Sequence, residues 1–211
     1  MVYYAMSIQN IQQELADKIQ KYEKAISKSS DSASAQLWAS KKAQDVRFDQ
    51  ILLDVNFNNK SILDVGCGFG DILVPLAKIA TNFSYTGVDM TPSMIKNAKQ
   101  NHPDNEFIVG DYFAHPLSEL FDVIMCSGAL NSNFEDPFTY RTEALKTMFD
   151  HAREAVVFNM SGNHPQPDNK ESLGVYYIDS LKILEFCLSL TSKVIFRHHY
   201  HSKDFTIAMF K

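Results

Sequence analysis

The sequence has few cysteines and no long apolar run. Its 211 residues include only Cys67, Cys126 and Cys187, an odd and scattered set that fits neither a disulfide framework nor the paired spacing of a zinc site. No stretch approaches the roughly 20 apolar residues that span a bilayer, and the N-terminus lacks the basic segment and apolar run of a signal peptide. We therefore expect a cytoplasmic protein with no membrane partner, whose cysteines pack in the core.

Positive charge is also scarce. Lys and Arg number 20 against 25 Asp and Glu, which gives a net charge of −5. Proteins that bind nucleic acid usually carry a basic face, so we expect no nucleic-acid partner. The apolar content of 45% and the charged content of 21% are typical of a soluble globular protein. A chain of this length can bury one domain and carry a short additional element.

The order of predicted elements indicates an α/β fold. Helical spacing of apolar residues covers 6–28 and 35–55, so residues 1–57 are expected to form a helical lid or cap on a main domain over 58–211, within a single domain overall. Seven strands are predicted, near 61–65, 83–89, 106–110, 120–126, 155–159, 193–200 and 204–210. The first five alternate with helices, which favours a parallel sheet with helices on both faces. The last two are joined too closely for a crossover helix, so one strand must be antiparallel.

Helix starts are marked by residues that cap. Hydroxyl and carboxylate side chains stand before four predicted helices, at Asp71, Thr91, Asp136 and Asp179. Proline follows Thr91 and Asp136 directly, as is common at the first helical position. These four residues are expected to accept hydrogen bonds from the first turns of their helices.

Glycines interrupt the chain where the first strand meets the first helix of the main domain. Gly66, Gly68 and Gly70 alternate with other residues, and Asp64 precedes them by two positions. Strand, glycine turn and helix form the opening unit of nucleotide-binding α/β folds. A carboxylate at Asp64 would repel a pyrophosphate and attract a cationic amino group. The pattern therefore favours a nucleotide-like ligand that carries an ammonium group, although a purely structural turn is the alternative.

Acidic residues follow the next two strands. Asp89 ends the second strand, where a carboxylate can accept hydrogen bonds from both hydroxyls of a ribose. Asp111 follows the third strand and could accept the amino group of an adenine, with Tyr112 and Met90 against the ring. A solvated acid or a turn residue is the plain alternative for each. Because both acids stand at successive strand ends beside the glycines, we expect them to share one ligand.

Together these residues resemble the motifs of class I S-adenosylmethionine (SAM) methyltransferases, over about residues 58–211. The resemblance implies a SAM-dependent enzyme that releases S-adenosylhomocysteine, and we expect no metal because no cluster of metal ligands is apparent. It further implies that the methionine part contacts the glycine turn and Asp64, the ribose Asp89, and the adenine Asp111, Tyr112 and Met90. The segment 126–131, with Ser127, would pass beneath the sulfonium.

The same resemblance bears on the acceptor. Methyltransferases that act on base amino groups or on glutamine side chains share an Asn/Asp-Pro-Pro-aromatic motif after the fourth strand, and this chain has Ser127-Gly-Ala-Leu130 there. A small-molecule acceptor methylated at O or N is therefore expected. A protein or peptide acceptor, or a SAM-binding protein without catalysis, stays open.

The N-terminal helices resemble the lid of such enzymes. Tyr22, Trp38 and Arg47 are the residues expected to reach the cofactor, although the two aromatic residues could equally be core and Arg47 a surface cation.

A general base is not fixed by any motif. His164 is the first choice and His199 the second; His198 and His201 are further candidates. The acceptor pocket is expected to be walled by residues of the loops after the fourth and fifth strands and of the last hairpin: Asn131, Asn159, His164, Tyr176 and either His199 with His201 or His198 with Tyr200.

Overall fold

In the described part of the chain, seven α-helices and one 3₁₀ turn surround a central sheet. The structure, a computed structural model, describes residues 2–29, 32–172 and 174–211, with side chains from residue 12 onward. The helices are α1 (Val2–Lys28), α2 (Ser32–Ala35), α3 (Lys41–Leu52), α4 (Leu73–Ile79), α5 (Pro92–Asn101), α6 (Pro137–His151) and α7 (Ser180–Leu190), and the 3₁₀ turn is Ala129–Asn131. None of the described helices is both long enough and apolar enough to cross a membrane.

The described strands alternate with these helices for most of the chain. They are β1 (Ser61–Val65), β2 (Ser84–Asp89), β3 (Glu106–Val109), β4 (Phe121–Ser127), β5 (Ala152–Asn163), β6 (Glu171–Ser172), β7 (Val175–Tyr176), β8 (Ile178–Asp179), β9 (Val194–Arg197) and β10 (Asp204–Phe210). The sheet order is β3-β2-β1-β4-β5-β10-β9. On this path β10 alone runs against its neighbours, which confirms the mostly parallel sheet with one antiparallel strand.

Two hydrophobic cores lie on the two faces of the sheet. Adjacent residues of a strand point to opposite faces, so Ile62 packs with α3, α4 and α5, whereas Leu63 packs with α6 and α7. Both side chains are fully buried. Strand β4 is apolar along nearly its whole length because it contributes to both cores. Cys67, Cys126 and Cys187 are free thiols buried within these cores, as expected.

Two of the expected caps fix the helices on the second face. Asp136 accepts a hydrogen bond from the backbone N–H of Thr139 at 3.1 Å, and Asp179 accepts one from Leu181 at 3.0 Å. Helices α6 and α7 therefore begin where their sequences predict.

Several boundaries differ from the sequence prediction. The expected helix over 35–55 is broken into α2 and α3, because Leu37 has a positive φ of 59° and Ser40 starts a new helix by accepting from Ala43 N–H. The fifth strand is 12 residues long, since its far end pairs with β10 and β8. The sixth predicted strand corresponds to β9, which ends at Arg197, before the histidines. Strand alternation therefore does not decide which way the histidine side chains point.

Candidate active site

The glycine turn is fixed tightly between two strand ends. The N–H groups of Gly66 and Cys67 donate to the carbonyl of Val88 at 2.7 and 3.2 Å, which ties the turn after β1 to the end of β2. Gly66 has a φ of +77°, and a Cβ on it would lie 2.4 Å from the Cβ of Ala129. Only glycine fits there, because the backbone is left-handed and the loop after β4 passes directly against it.

Asp89 is held by backbone donors on both oxygens. Its Oδ2 accepts from the N–H of Gly68 at 3.1 Å and its Oδ1 from the N–H of Thr91 at 2.8 Å. An ionised carboxylate has about four acceptor sites; the two backbone donors and the Thr91 hydroxyl occupy three of them, so one is left for a ribose hydroxyl. Thr91 precedes α5 without capping it through its side chain, because its hydroxyl also bonds Asp89. Burial raises the pKa of this carboxyl.

Asp64 lies beneath the turn and is buried. Its Oδ2 accepts the hydroxyl of Tyr85 at 2.7 Å. Burial raises the pKa of the Asp64 carboxyl to about 7, against the opposing effect of the Tyr85 hydrogen bond. The acid of the glycine motif can therefore lose or keep its proton near neutral pH, and a nearby cation would favour the ionised form.

A cleft joins the ends of β2 and β3 to helix α1. It has a volume of about 200 Å³, and Met90, Gly110 and Asp111 line it on the sheet side. Residues of α1 line the other side: Gln12, Leu15, Ala16 and Ile19. Asp111 uses Oδ1 to accept from the N–H groups of Phe113 and Ala114, so it is a turn residue as well as a wall of the cleft. The second oxygen remains for a ligand.

The ring of Tyr112 lies elsewhere. It is buried in the core beside the rings of Phe113 and His151, and it lines neither this cleft nor the adjoining one of about 400 Å³, which Phe113 and Tyr140 line instead. The expected contact of Tyr112 with adenine is therefore not what the structure favours. The next residue, Phe113, holds the aromatic surface near Asp111.

The N-terminal segment is bonded directly to the glycine turn. Gln36 accepts from the N–H of Phe69 at 3.2 Å and donates to Asp71 at 2.6 Å. Ser32 and Gln44 donate to the same oxygen of Asp71. Asp71 does not cap α4, whose first turn has no side-chain cap, because this oxygen already accepts three hydrogen bonds from the preceding segment. The expected role of Asp71 as a helix cap is wrong.

Tyr22 and Trp38, the two aromatic residues expected in the lid, lie near the glycine turn and the loop after β4. Tyr22 packs against a small cluster that includes Phe69 of the glycine turn, and burial with the charge of Asp89 raises its pKa to about 12. Trp38 packs against the Phe48 ring and lies against Gly128, where a Cβ would be 3.1 Å from the indole. The guanidinium of Arg47 covers the Trp38 ring at 5.1 Å. Tyr22 and Trp38 therefore pack against hydrophobic clusters beside the glycine turn and the loop after β4, and their contact with a cofactor stays a prediction.

Polar residues meet where β4 and β5 end. Ser127 donates to Asn159 at 3.3 Å, and the buried Asn159 donates to the carbonyl of Arg47 at 3.1 Å. Asn131 accepts from the N–H of Ser161 at 2.7 Å. The two asparagines expected in the acceptor pocket are thus at this edge, although each already holds a backbone partner.

Asp204 organises the neighbouring edge of the sheet. It is buried at the start of β10 and accepts from Ser161 at 3.1 Å. It also pairs with Arg47 at 2.6 Å and with Nδ1 of His201 at 2.8 Å. Arg47 is therefore not the surface cation that the sequence allowed. The sequence offered no signal for Asp204, which stands at the start of an ordinary strand.

The four histidines lie in different surroundings. His164 contacts the cap residue Asp179 through Nδ1 at 3.1 Å and is half-exposed. His199 is exposed and its ring meets only the edge of Tyr200 among the described ring contacts. His198 stacks near Phe196. His201 is the one whose ring is bonded to a buried acid of the polar edge.

His164 is also far along the strand. It comes five residues after Asn159, which is opposite Ser127 in the register, and a strand rises about 3.3 Å per residue. The loop therefore carries His164 roughly 16 Å beyond the end of β4. Asp204 is opposite Ser161, only two residues beyond Asn159, so its partner His201 is held closer to that edge.

The part of the chain that the structure describes holds no group of three or more His, Cys, Asp or Glu side chains placed to bind a metal.

A family model described as a methyltransferase domain matches residues 56–201. The chain belongs to this methyltransferase family. It is a class I SAM-dependent family, and the resemblance in the glycine motif is thereby confirmed.

Solved structures share the fold over nearly the whole chain. A complex of DhpI with SAM and HEP superposes with a TM-score of 0.67 at 15% identity, over 94% of this chain and 96% of that one. A phosphoethanolamine N-methyltransferase of Haemonchus contortus, bound to phosphoethanolamine and S-adenosylhomocysteine, gives 0.66 at 15% identity, over 92% of this chain and 49% of that one.

Curated relatives match over shorter stretches. A release factor glutamine methyltransferase of Buchnera aphidicola is 35% identical over 86 residues, 38% of this chain and 31% of that protein. The first relatives of this kind are matched over only 26%, 31% and 27% of their own length.

Proposed function

We propose that this chain transfers the methyl group of SAM to an oxygen or nitrogen of a small-molecule acceptor in the cytoplasm. The observation that carries the proposal is the meeting of three strand ends: Asp89 bonded to Gly68, and Met90 with Asp111 in the cleft under α1. This arrangement offers acceptors for a ribose and an adenine and a glycine turn for the methionine part. The three buried thiols suit a reducing compartment.

The cofactor residues fit the groups they would hold. When bound, SAM supplies a methyl group already activated by the sulfonium. The chain then has to align an acceptor with that methyl and exclude water, which accounts for most of the acceleration in such transfers. The loop after β4 begins with Gly128, and Trp38 lies against it. The reacting groups would meet at this loop. Helix α1 would cover the nucleoside, because Leu15 and Ile19 already line that cleft.

His201 is the best-placed base for an acceptor that must lose a proton. Asp204 and the backbone N–H of Lys203 both lie against its Nδ1; in the tautomer whose Nδ1–H donates to Asp204, Nε2 is the acceptor nitrogen of the neutral ring. In this pair the buried carboxylate of Asp204 would orient the imidazole of His201, as a third group orients the base in other active sites. His164 and His199, the choices from sequence, lack a buried acid partner among the described residues.

A protein or peptide acceptor is the second candidate, favoured by the local similarity to a release factor methyltransferase. The placement of α1 over the strand ends supports the small-molecule reading, because it leaves less room for a polypeptide beside the cofactor. A SAM-binding protein without catalysis is the third. None of these readings needs a nucleic acid, and the net charge of −5 argues against one.

The assay is formation of S-adenosylhomocysteine from SAM with panels of small molecules, peptides and RNA. We expect turnover with a small molecule and none with peptides or RNA. Turnover with peptides or RNA alone would overturn the acceptor class. Binding of SAM without turnover on any panel would leave the non-catalytic reading.

A further inference from the structure

Arg141 on α6 is a fully buried cation without an acidic partner among the described residues. Its side chain has no exposed surface. The guanidinium donates to the carbonyls of Ser132 at 2.9 Å and Pro137 at 2.6 Å, and Nε is buried with no hydrogen-bond partner. Burial lowers the pKa of Arg141 to about 10. A buried charge without a counter-ion costs free energy of folding. An anionic ligand at this position would compensate for that cost.

A second cation lies beside the same loop, over Phe134, two residues after the Ser132 that Arg141 bonds. The ammonium of Lys18, on α1, lies 5.5 Å from the centroid of the Phe134 ring. Burial, with smaller effects of the charges of Arg141 and Lys21, lowers the pKa of Lys18 to about 8, although the charge of Asp89 opposes the shift. Lys18 is not in ion-pair contact with any described carboxylate. The loop over 132–134 thus has a cation beside it from each of two helices, α1 and α6.

Aromatic rings lie beside both cations. Arg141 covers the ring of Tyr176 at 5.4 Å, and the ring centroids of Phe134 and Tyr140 lie 4.2 Å apart at an interplanar angle of 47°. Ser132 pairs with Val175 in a backbone bridge, so the loops after β4 and β5 close together around the two cations. These are the loops at the carboxyl edge of the sheet, where the acceptor would enter.

We propose that Lys18 and Arg141 form an anion subsite for the methyl acceptor, which therefore carries a carboxylate or a phosphate. The inference rests on the proposed function and names its substrate class. An oxyanion between the two cations would supply the counter-charge that the protein lacks and accept the free Nε–H of Arg141. Phe134 and Tyr176 would pack against the adjoining part of the acceptor.

The methionine carboxylate of the cofactor is an alternative source of the same charge. The two sources differ in one respect that can be measured. An acceptor subsite stays available when S-adenosylhomocysteine is bound, whereas a cofactor carboxylate would already fill it. Comparison with 5′-methylthioadenosine, which has no carboxylate, separates the two.

The experiment uses the whole protein and calorimetric titration. Lys18→Gln and Arg141→Gln are compared with Lys24→Gln, a control on an exposed position of the same helix. Inorganic phosphate is titrated into protein saturated with S-adenosylhomocysteine. The two nucleosides, S-adenosylhomocysteine and 5′-methylthioadenosine, are each titrated into free protein. Lys18→Gln keeps the test decisive if Arg141→Gln does not fold.

We expect phosphate to bind to the wild type and to Lys24→Gln, and at least about tenfold more weakly to the other two variants. Affinity for S-adenosylhomocysteine should be the same in all four proteins. Absent phosphate binding, or equal binding by Lys18→Gln, overturns the subsite while leaving the proposed function intact. A loss of affinity for S-adenosylhomocysteine, but not for 5′-methylthioadenosine, also overturns it and assigns the cations to the cofactor. A wild type that binds neither nucleoside contradicts the proposed function itself.

Discussion

The carboxylate of Asp89 accepts a hydrogen bond from the backbone N–H of Gly68 at 3.1 Å. The acid that ends β2 is therefore oriented by the glycine turn that follows β1, before any ligand arrives. Thr91 fixes the other oxygen at 2.8 Å. A group held in this way loses little freedom on binding. The same bonds make the turn and the acid a single unit, so a change in one should disturb the other.

Gly66→Ala tests the turn. The new Cβ would have to fit 2.4 Å from the Cβ of Ala129 at a φ of +77°, so we expect a loss of about 1–3 kcal/mol in the free energy of unfolding. Gly110→Ala is the matched control, because its Cβ would meet nothing closer than 4.0 Å and its φ is not positive. Urea unfolding measures both. Equal stability of the two variants would show that the turn is not constrained as described.

Asp64 should make the stability of the ligand-free protein depend on pH. Its pKa in the folded state is raised from 3.8 to about 7, so between these values the folded state binds more protons than the unfolded state. Stability should therefore fall as pH rises from about 4 to 7, by up to about 1.4 kcal/mol per unit. Urea unfolding at several pH values measures this slope. Asp64→Asn should flatten it, and an unchanged slope in that variant would assign the effect to other groups.

Helix α1 should be protected when the cofactor binds. Its residues line the cleft with Met90 and Asp111, and Tyr22 packs against the cluster that includes Phe69 of the glycine turn. S-adenosylhomocysteine should therefore slow hydrogen exchange in residues 12–28 and leave α7 unchanged as an internal reference. Identical exchange with and without the ligand would mean that the N-terminal helices are structural and do not form a lid.

His201→Ala should lower turnover while cofactor affinity stays the same. A base that accepts the acceptor's proton contributes about 10²–10⁴-fold, and Asp204 orients this ring. His199→Ala is the control, since that residue is close in sequence and also exposed but, unlike His201, has no acid partner among the described residues. Initial rates with the acceptor found in the panel decide between them. Full turnover in His201→Ala would leave catalysis to positioning alone.

Much of this fold could be predicted from local pattern. Strand β4 is apolar along most of its length, and Asp136-Pro137 marks the start of α6. These signals depend only on neighbours in the chain. The break between α2 and α3 could not be predicted in this way. It depends on Gln36 turning back to Phe69 and Asp71, which are more than 30 residues away.

In the site, too, features that depend on neighbouring residues could be predicted, and features that depend on distant contacts could not. The meeting of Asp89 with the glycine turn could be predicted, because strand ends and turns have recognisable residue types. The burial of the Tyr112 ring could not, because two successive aromatic residues, Tyr112 and Phe113, follow Asp111, and only packing decides which ring enters the core. Lys18 carried one usable signal, since it lies one helical turn before Tyr22 and so shares its face. Nothing local indicated that Arg141 would be buried.

The most direct test of the account is titration of S-adenosylhomocysteine into the wild type, Asp89→Ala and Asp104→Ala. Asp104 is an exposed acid in the loop before β3, so it matches the chemical change without touching the site. We predict chelator-independent binding by the wild type and by Asp104→Ala, and a loss of about 1.5–3 kcal/mol in Asp89→Ala, the range for hydrogen bonds to a charged group. Equal affinity in all three proteins, or no binding by the wild type, would contradict the account.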